Sequence, residues 1–320
     1  MPVQLARREF LAGMAAMTAA KAASRFARPL DSSSPFRVSV INDEISQDFG
    51  HVCEIVSREF GMGWIELRGM WKKNIVNLDE KEVAEARRLI EKYQLKVTDI
   101  ASPLFKTDWP GATKSKFSEA KNFNADFNWK EQDDVLERAM EMAKALGTDR
   151  VRCFDFWRLE DQAPYRSAIN DKLREAAAKA EKKGIILVLE NEHACNTATA
   201  AESVKVLNAV QSPSFMLNWD PGNATAAGEV AYPDGYSLLP KDRIGHCHCK
   251  DAVRNGKKYD WAPMGGGIID WAGQFKALKR DGYRFAVSLE THWNGGGSPE
   301  ECSRKSWAGM KKLLQQEDAL

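Results

Sequence analysis

Residues 184–193 read GIILVLENEH, and residues 214–223 read SFMLNWDPGN. Each is an apolar run of strand length that stops at a carboxylate, Glu190 or Asp220, and passes into a polar turn. Short apolar runs bounded by turn residues are what strands buried on both faces look like. Residues 199–210, between the two runs, have helical spacing. Strand, helix, strand in that order is a parallel βαβ unit.

The unit repeats outward in both directions. Downstream lie RIGHCHCK (243–250) and RFAVSLE (284–290), with a helical pattern over 271–281 between them. Upstream lie FRVSVI (36–41), GWIELR (63–68), KVTDIA (96–101) and DRVRCF (149–154), with helical patterns over 78–93, 131–146 and 168–182. Eight such units in about 250 residues predict the α/β class and a (β/α)8 TIM barrel, here a catalytic domain over residues 30–320. An open doubly wound sheet is the alternative, but no G-x-G-x-x-G follows the first strand.

Composition narrows the classes of function. The chain has 320 residues, 43% hydrophobic and 28% charged, with a formal net charge of +1. That is enough apolar material for a full core, which excludes a disordered chain. Near neutrality argues against a nucleic-acid partner, whose phosphates are normally met by a basic excess. No uninterrupted apolar run of about 18 residues occurs, so no membrane span is predicted. Residues 1–27 resemble a twin-arginine export signal, with Arg7 and Arg8 ahead of a weakly apolar stretch and small residues near Ala23 and Ala27. That predicts the twin-arginine export machinery as a partner and a periplasmic or secreted protein; a frayed amphipathic arm is the alternative. Six cysteines without paired spacing, apart from Cys247 and Cys249, are expected as buried small hydrophobes, although export leaves a disulfide open. Residues 104–130 carry no sustained period and many Asn, Lys and aromatic residues, and are read as a lid over the catalytic face or as a mobile insertion.

The chemistry gathers where strands end, as a barrel requires. Glu190, Asp220, His248 and Glu290 close four successive late strands, separated by 30, 28 and 42 residues. Each step is about one strand-plus-helix unit, so the four groups arrive side by side on the rim. Converging carboxylates are costly to bury without a counter-charge. Three carboxylates and one imidazole suit a divalent ion with open positions, Mn²⁺ first, with Mg²⁺, Co²⁺ or Zn²⁺ as alternatives. Ordinary ion pairs at strand ends are the competing account. His246 shares strand parity with His248 but lies further from the exit, so His248 is the expected ligand and His246 a buried supporting group.

These segments resemble the sugar phosphate isomerase/epimerase family of xylose isomerase-like TIM barrels. The resemblance rests on the Glu190, Asp220, His248 and Glu290 spacing with DPGN (220–223), H-x-K-D (248–251) and PMGGGIIDW (263–271). VINDEISQDF (40–49) and IELR (65–68) extend it over roughly residues 36–315. It implies the same four residues as metal ligands, with Glu190 and Glu290 doubling as acid and base. One departure stands out: many relatives read Glu-Asn-His after the fifth strand, whereas here Glu190 and Asn191 are followed by Glu192 and His193. Either of the latter two is then the substrate contact.

A divalent ion that holds a carbonyl oxygen and its neighbouring hydroxyl lowers the cost of an enediolate. Two glutamates flanking the carbon between them would remove and return its proton. The expected activity is a metal-dependent isomerase or epimerase of non-phosphorylated keto-sugars. The alternative is a carbon–oxygen lyase cleaving 3-keto-glycosides by β-elimination, or, without catalysis, a sugar-binding barrel. The expected partner is a small sugar or glycoside, and a homo-oligomer is left open. Beyond Glu192 and His193, Lys250 is a candidate for steadying an oxyanion, or else a solvated strand-end lysine. Arg68, with Glu66, is expected to bind substrate hydroxyls or to pair within the barrel. His292 and Trp293 offer a stacking edge. The glycine loops at 265–267 and 294–299 are read as tight turns in preference to phosphate cradles.

Overall fold

The computed structural model describes residues 34–118, 127–256 and 258–320. The export-signal reading at 1–27 and part of the 104–130 segment lie outside the described residues. Eight strands form one parallel sheet: β1 (Arg37–Val40), β2 (Trp64–Leu67), β3 (Lys96–Leu104), β4 (Arg150–Cys153), β5 (Ile186–Glu190), β6 (Phe215–Trp219), β7 (Ile244–Cys249) and β8 (Ala286–Leu289). They pair in the order β1-β8-β7-β6-β5-β4-β3-β2, so each strand lies beside its neighbours in sequence. A parallel bridge between Ile41 and Glu66 brings the two ends of the sheet together, and the predicted barrel is observed.

Between the strands run α1 (Phe49–Glu54), α2 (Glu80–Lys92), α3 (Gln132–Leu146), α4 (Arg166–Lys182), α5 (Ala200–Ala209), α6 (Pro221–Ala226) and α7 (Trp271–Arg280), with α8 (Pro299–Gln316) after the last strand. The sequence patterns anticipate α2 to α5 and α7 to within about two residues at each end, but not α1, α6 or α8. α8 does carry a local signal: Ser298 caps it, and Glu301 reaches back to the Ser298 backbone in a reciprocal box. The glycine-rich loop 294–299 therefore leads into a helix.

The two faces of the strands differ in character. Outward-facing Val38, Leu67, Val151, Leu187, Leu217, Cys247, Cys249 and Leu289 join the helices in one continuous apolar core. Cys247 and Cys249 thus point to the helix layer as expected, and all six cysteines are buried free thiols. The lumen is polar instead: Glu66, Asp99, Arg150, Arg152, Asn218, His246 and Ser288 are all buried there. Among the described residues no helix is long and apolar enough to cross a membrane.

Candidate metal centre

The four strand-end residues meet. Glu190, Asp220, His248 and Glu290 each offer a ligand atom, and these atoms all lie within 4.8 Å of one another, with all four residues buried. His248 Nδ1 stands 3.3 Å from Glu290 Oε2, 3.5 Å from Glu190 Oε1 and 3.7 Å from Asp220 Oδ2. It makes no well-formed hydrogen bond to any of them. A buried imidazole nitrogen facing three oxygens without bonding one is set for a shared centre, and this donor set fits a divalent cation.

The loops after β5 and β6 show how short motifs build this. Asp220 Oδ1 caps α6 by accepting from the Asn223 amide at 2.8 Å, which leaves Oδ2 for the cluster. Pro221 sits in the first turn, where its missing N–H costs nothing. Asn223 Nδ2 donates to Glu190 Oε1 at 3.0 Å and to Asp220 Oδ2 at 3.1 Å, tying two carboxylates together. Gly222 is required by packing: a Cβ there would fall 2.5 Å from Lys250 Cγ. Asn191 joins the two strand exits by exchanging hydrogen bonds with the Asp220 backbone, both 2.8 Å.

Lys250 departs from expectation. It is fully buried, with Nζ 2.7 Å from Asp220 Oδ2 and 2.6 Å from Glu290 Oε2. Burial rules out the solvated strand-end reading, and two of its three ammonium N–H groups face cluster carboxylates. Burial opposes its charge, but Asp220, Glu290 and Glu190 outweigh burial and hold its pKa above the usual lysine value. Arg68 and Glu66 also find partners across the barrel. Arg68 binds Asp43 Oδ1 at 2.9 Å, Glu44 Oε1 at 2.7 Å and Glu290 Oε1 at 3.0 Å. Arg152, which the sequence reading did not single out, sits 3.2 Å from Glu190 Oε2 and donates to the Ala101 and Ser102 carbonyls. Two arginines at alternate positions of DRVRCF, inside a strand buried throughout, were the available signal.

Behind the cluster, His248 Nε2 lies 3.0 Å from Glu66 Oε1, which leaves Nδ1 as the atom turned to the carboxylates. A carboxylate on the far nitrogen orients an imidazole and raises its basicity as a ligand. Burial disfavours imidazolium at His248, yet Glu66, Glu190 and Glu290 together hold its pKa well above the usual histidine value. His246 lies deeper, 3.4 Å from Glu66 Oε2 and 3.2 Å from Asn218 Oδ1. Burial pushes it down to about 3, so it stays neutral. His246 is thus buried behind His248, and with Glu66 and His248 it forms a second group of possible ligands.

The mouth is built by the remaining candidates. Glu192 is buried and takes Lys106 Nζ at 3.1 Å and His193 Nδ1 at 2.7 Å. His193 faces outward, with the Phe117 ring edge-on at 6.2 Å, so the described part of the 104–130 segment does reach the site. Trp261, on a rim hairpin of Asp251–Asn255 against Lys258–Ala262, stands 5.4 Å from the His292 ring and 5.2 Å from Lys250 Nζ. His292 adopts a left-handed backbone (φ 44°) and places Nε2 3.2 Å from Glu290 Oε1. Burial opposes the Glu290 carboxylate, but Lys250, His292 and His248 keep its pKa well below the usual range. The amides of Gly265 and Gly267 both donate to Asp251 Oδ2 at 3.0 Å. That loop's anion is thus the carboxylate of H-x-K-D itself, in line with the tight-turn reading.

A parallel barrel with a buried, carboxylate-rich centre at the C-terminal ends of its strands belongs among the TIM barrels with acidic rim sites. More narrowly, residues 56–313 match the xylose isomerase-like TIM barrel family, and the chain belongs to it. Solved structures with the same fold include the IolI protein with a bound zinc atom (TM-score 0.70, 17% identity, 88% of this chain and 99% of that one). A probable 3-DHS dehydratase, AsbF from Bacillus anthracis, is similar at TM-score 0.65 and 16% identity over 87% and 98%. The 3-keto-D-glucoside 4-epimerase YcjR from E. coli is similar at TM-score 0.62 and 17% identity over 87% and 99%. A fusion of such a barrel with a 4-hydroxyphenylpyruvate dioxygenase also matches (TM-score 0.66, 17% identity); 88% of this chain aligns, and it spans 43% of the fusion protein.

Proposed function

We propose that this protein is a divalent-metal-dependent isomerase or epimerase of neutral keto-sugars, working by proton transfer at the carbon next to a carbonyl. The observation that carries this is the buried meeting of Glu190, Asp220, His248 and Glu290, with His248 Nδ1 turned to three carboxylates. These four residues would hold the ion, Mn²⁺ being our first choice and Zn²⁺ supported by the ion in the IolI structure. When bound, the ion supplies a fixed positive charge beside a carbonyl oxygen, which acidifies the adjoining C–H.

The chain's own residues do the rest. Glu190 and Glu290 stand on β5 and β8, on either side of β6 and β7, and each ends in the cluster. One takes the proton from the substrate carbon, and the other returns it to the opposite face or to the neighbouring carbon. Arg152 and Asn223 orient Glu190, while Arg68 and Lys250 orient Glu290. His193, Glu192 and Trp261 close the mouth and restrict water. Where the substrate has a leaving group β to its carbonyl, the same proton abstraction expels it. The similarity to a dehydratase favours keeping this lyase reading as the second outcome.

The test is NMR in D₂O with metal-loaded enzyme, ketoses and 3-keto-glycosides. Deuterium appearing at an α-carbon of an intact sugar is the expected result, and an unsaturated product with a freed aglycone would select the lyase. No exchange with any carbonyl sugar, or exchange that survives chelation, would overturn the proposal. We further propose that residues 1–27 direct the folded protein through the twin-arginine pathway, leaving 30–320 as the catalytic domain. Arg7→Lys with Arg8→Lys should trap the precursor inside the cell, and unchanged export would refute this.

A further inference from the structure

A pocket opens beside the cluster. Its volume is about 580 Å³, and its wall includes Glu44, Gln47, Trp261, His292, Trp293 and Asn294. Glu290 is not part of that wall, but two wall residues reach it. Its Oε2 faces His248 and Lys250, while its Oε1 meets Arg68 and His292, both of which also line the pocket. The pocket therefore adjoins the cluster on the Oε1 side of Glu290, with Arg68 and His292 shared between them.

The walls specify what would enter. Three rings, those of Trp261, His292 and Trp293, contribute to the wall, together with the polar side chains of Glu44, Gln47 and Asn294. Rings for C–H faces and short polar groups for hydroxyls are what a sugar ring requires. Charge selects against an anion: Asp43 and Glu44 are both acidic, and the guanidinium of Arg68 is already bound to both and to Glu290. The indole of Trp293 is a built wall. A Cβ at Gly295 or Gly296 would come within 2.8 or 2.9 Å of it, and Lys305 Nζ lies 5.6 Å from its ring.

We infer that this pocket is a subsite for a second, neutral sugar ring, so that the preferred substrate is an oxidised disaccharide in place of a free monosaccharide. This rests on the proposed proton-transfer reading only for what happens at the first ring. Binding at the second ring is read separately, with unoxidised cellobiose as the probe, by ligand-observed NMR titration of the metal-loaded protein. Wild type should bind it, and Trp293→Ala should weaken binding about tenfold. Gln47→Ala should weaken it to a lesser degree, with circular dichroism and Tm confirming that both variants are folded. In turnover, 3-ketocellobiose should exceed methyl 3-keto-β-D-glucopyranoside in kcat/KM by about tenfold, and Trp293→Ala should erase that ratio through KM. No cellobiose binding by wild type, or equal binding by folded Trp293→Ala and Gln47→Ala, would overturn the subsite. α-Deuterium exchange on the methyl keto-glycoside with no preference for the disaccharide would overturn the subsite while the proposed reaction stands. Cellobiose binding without exchange on any keto-sugar would overturn the reaction while the subsite stands.

Discussion

The late half of the barrel, β5 to β8, brings most of the carboxylates to one site, and the early half, β1 to β4, brings the arginines that answer them. The late half ends in Glu190, Asp220, His248 and Glu290, all turned into a single cluster. The early half sends Arg68 and Arg152 across to Glu290 and Glu190, and Glu66 to the back of His248. Lys250 is the late half's own cation, lodged between Asp220 and Glu290. Three buried carboxylates would repel one another and lose hydration, so the early strands act as a counter-charge frame. One half supplies the clustered candidate ligands, and the other makes their burial tolerable.

This division can be broken at four points of decreasing size. Glu290→Gln or Glu190→Gln removes a proposed proton carrier and should lower turnover by about 10³-fold, read by α-deuterium exchange with bound metal verified by elemental analysis. Near-normal exchange with metal still present would reassign that residue. In the early half, Arg152→Met leaves Glu190 without its arginine at a buried position. Breaking such a pair should cost about 3–5 kcal/mol in denaturant unfolding of metal-free protein. A loss under about 1 kcal/mol would mean that Asn223 alone compensates Glu190.

Glu66→Gln keeps the shape behind His248 but removes the negative charge on its Nε2. Metal affinity in a chelator competition should fall by about 10- to 100-fold, with the Tm of metal-free protein moving far less than in Arg152→Met. Unchanged affinity would sever the early half from the centre. The smallest effect is expected at Thr199→Ala, which deletes the cap of α5 outside the cluster. It should cost about 1 kcal/mol of stability and leave metal affinity unaltered, which separates general destabilisation from loss of the frame.

The same division explains what could be read in advance. The late-half groups stand in contiguous motifs at the ends of apolar runs, where DPGN, for example, states its cap, its turn and its space for Lys250 in four letters. The early-half groups carry weaker marks, the alternate arginines of DRVRCF and the IELR segment, and neither names a partner. Arg68 looks like any residue after a short strand, and its three partners lie 25, 24 and 222 positions away. Lys250 shares strand parity with His246 and His248, yet its burial depends on the two carboxylates it meets, which are 30 and 40 positions distant. Trp261 belongs to a rim hairpin that has no place in the strand-helix alternation.

Sequence by itself determined the barrel, its strand count and the residues at its late rim, because apolar periodicity and turn chemistry are properties of neighbours along the chain. Only the tertiary structure decided which cation answers which carboxylate, which nitrogen of His248 faces the cluster, and that a ring-walled pocket adjoins Glu290. Those depend on closing the sheet, where β8 pairs with β1 and the Ile41–Glu66 bridge brings β1 to β2, and no local pattern encodes a contact made by closure.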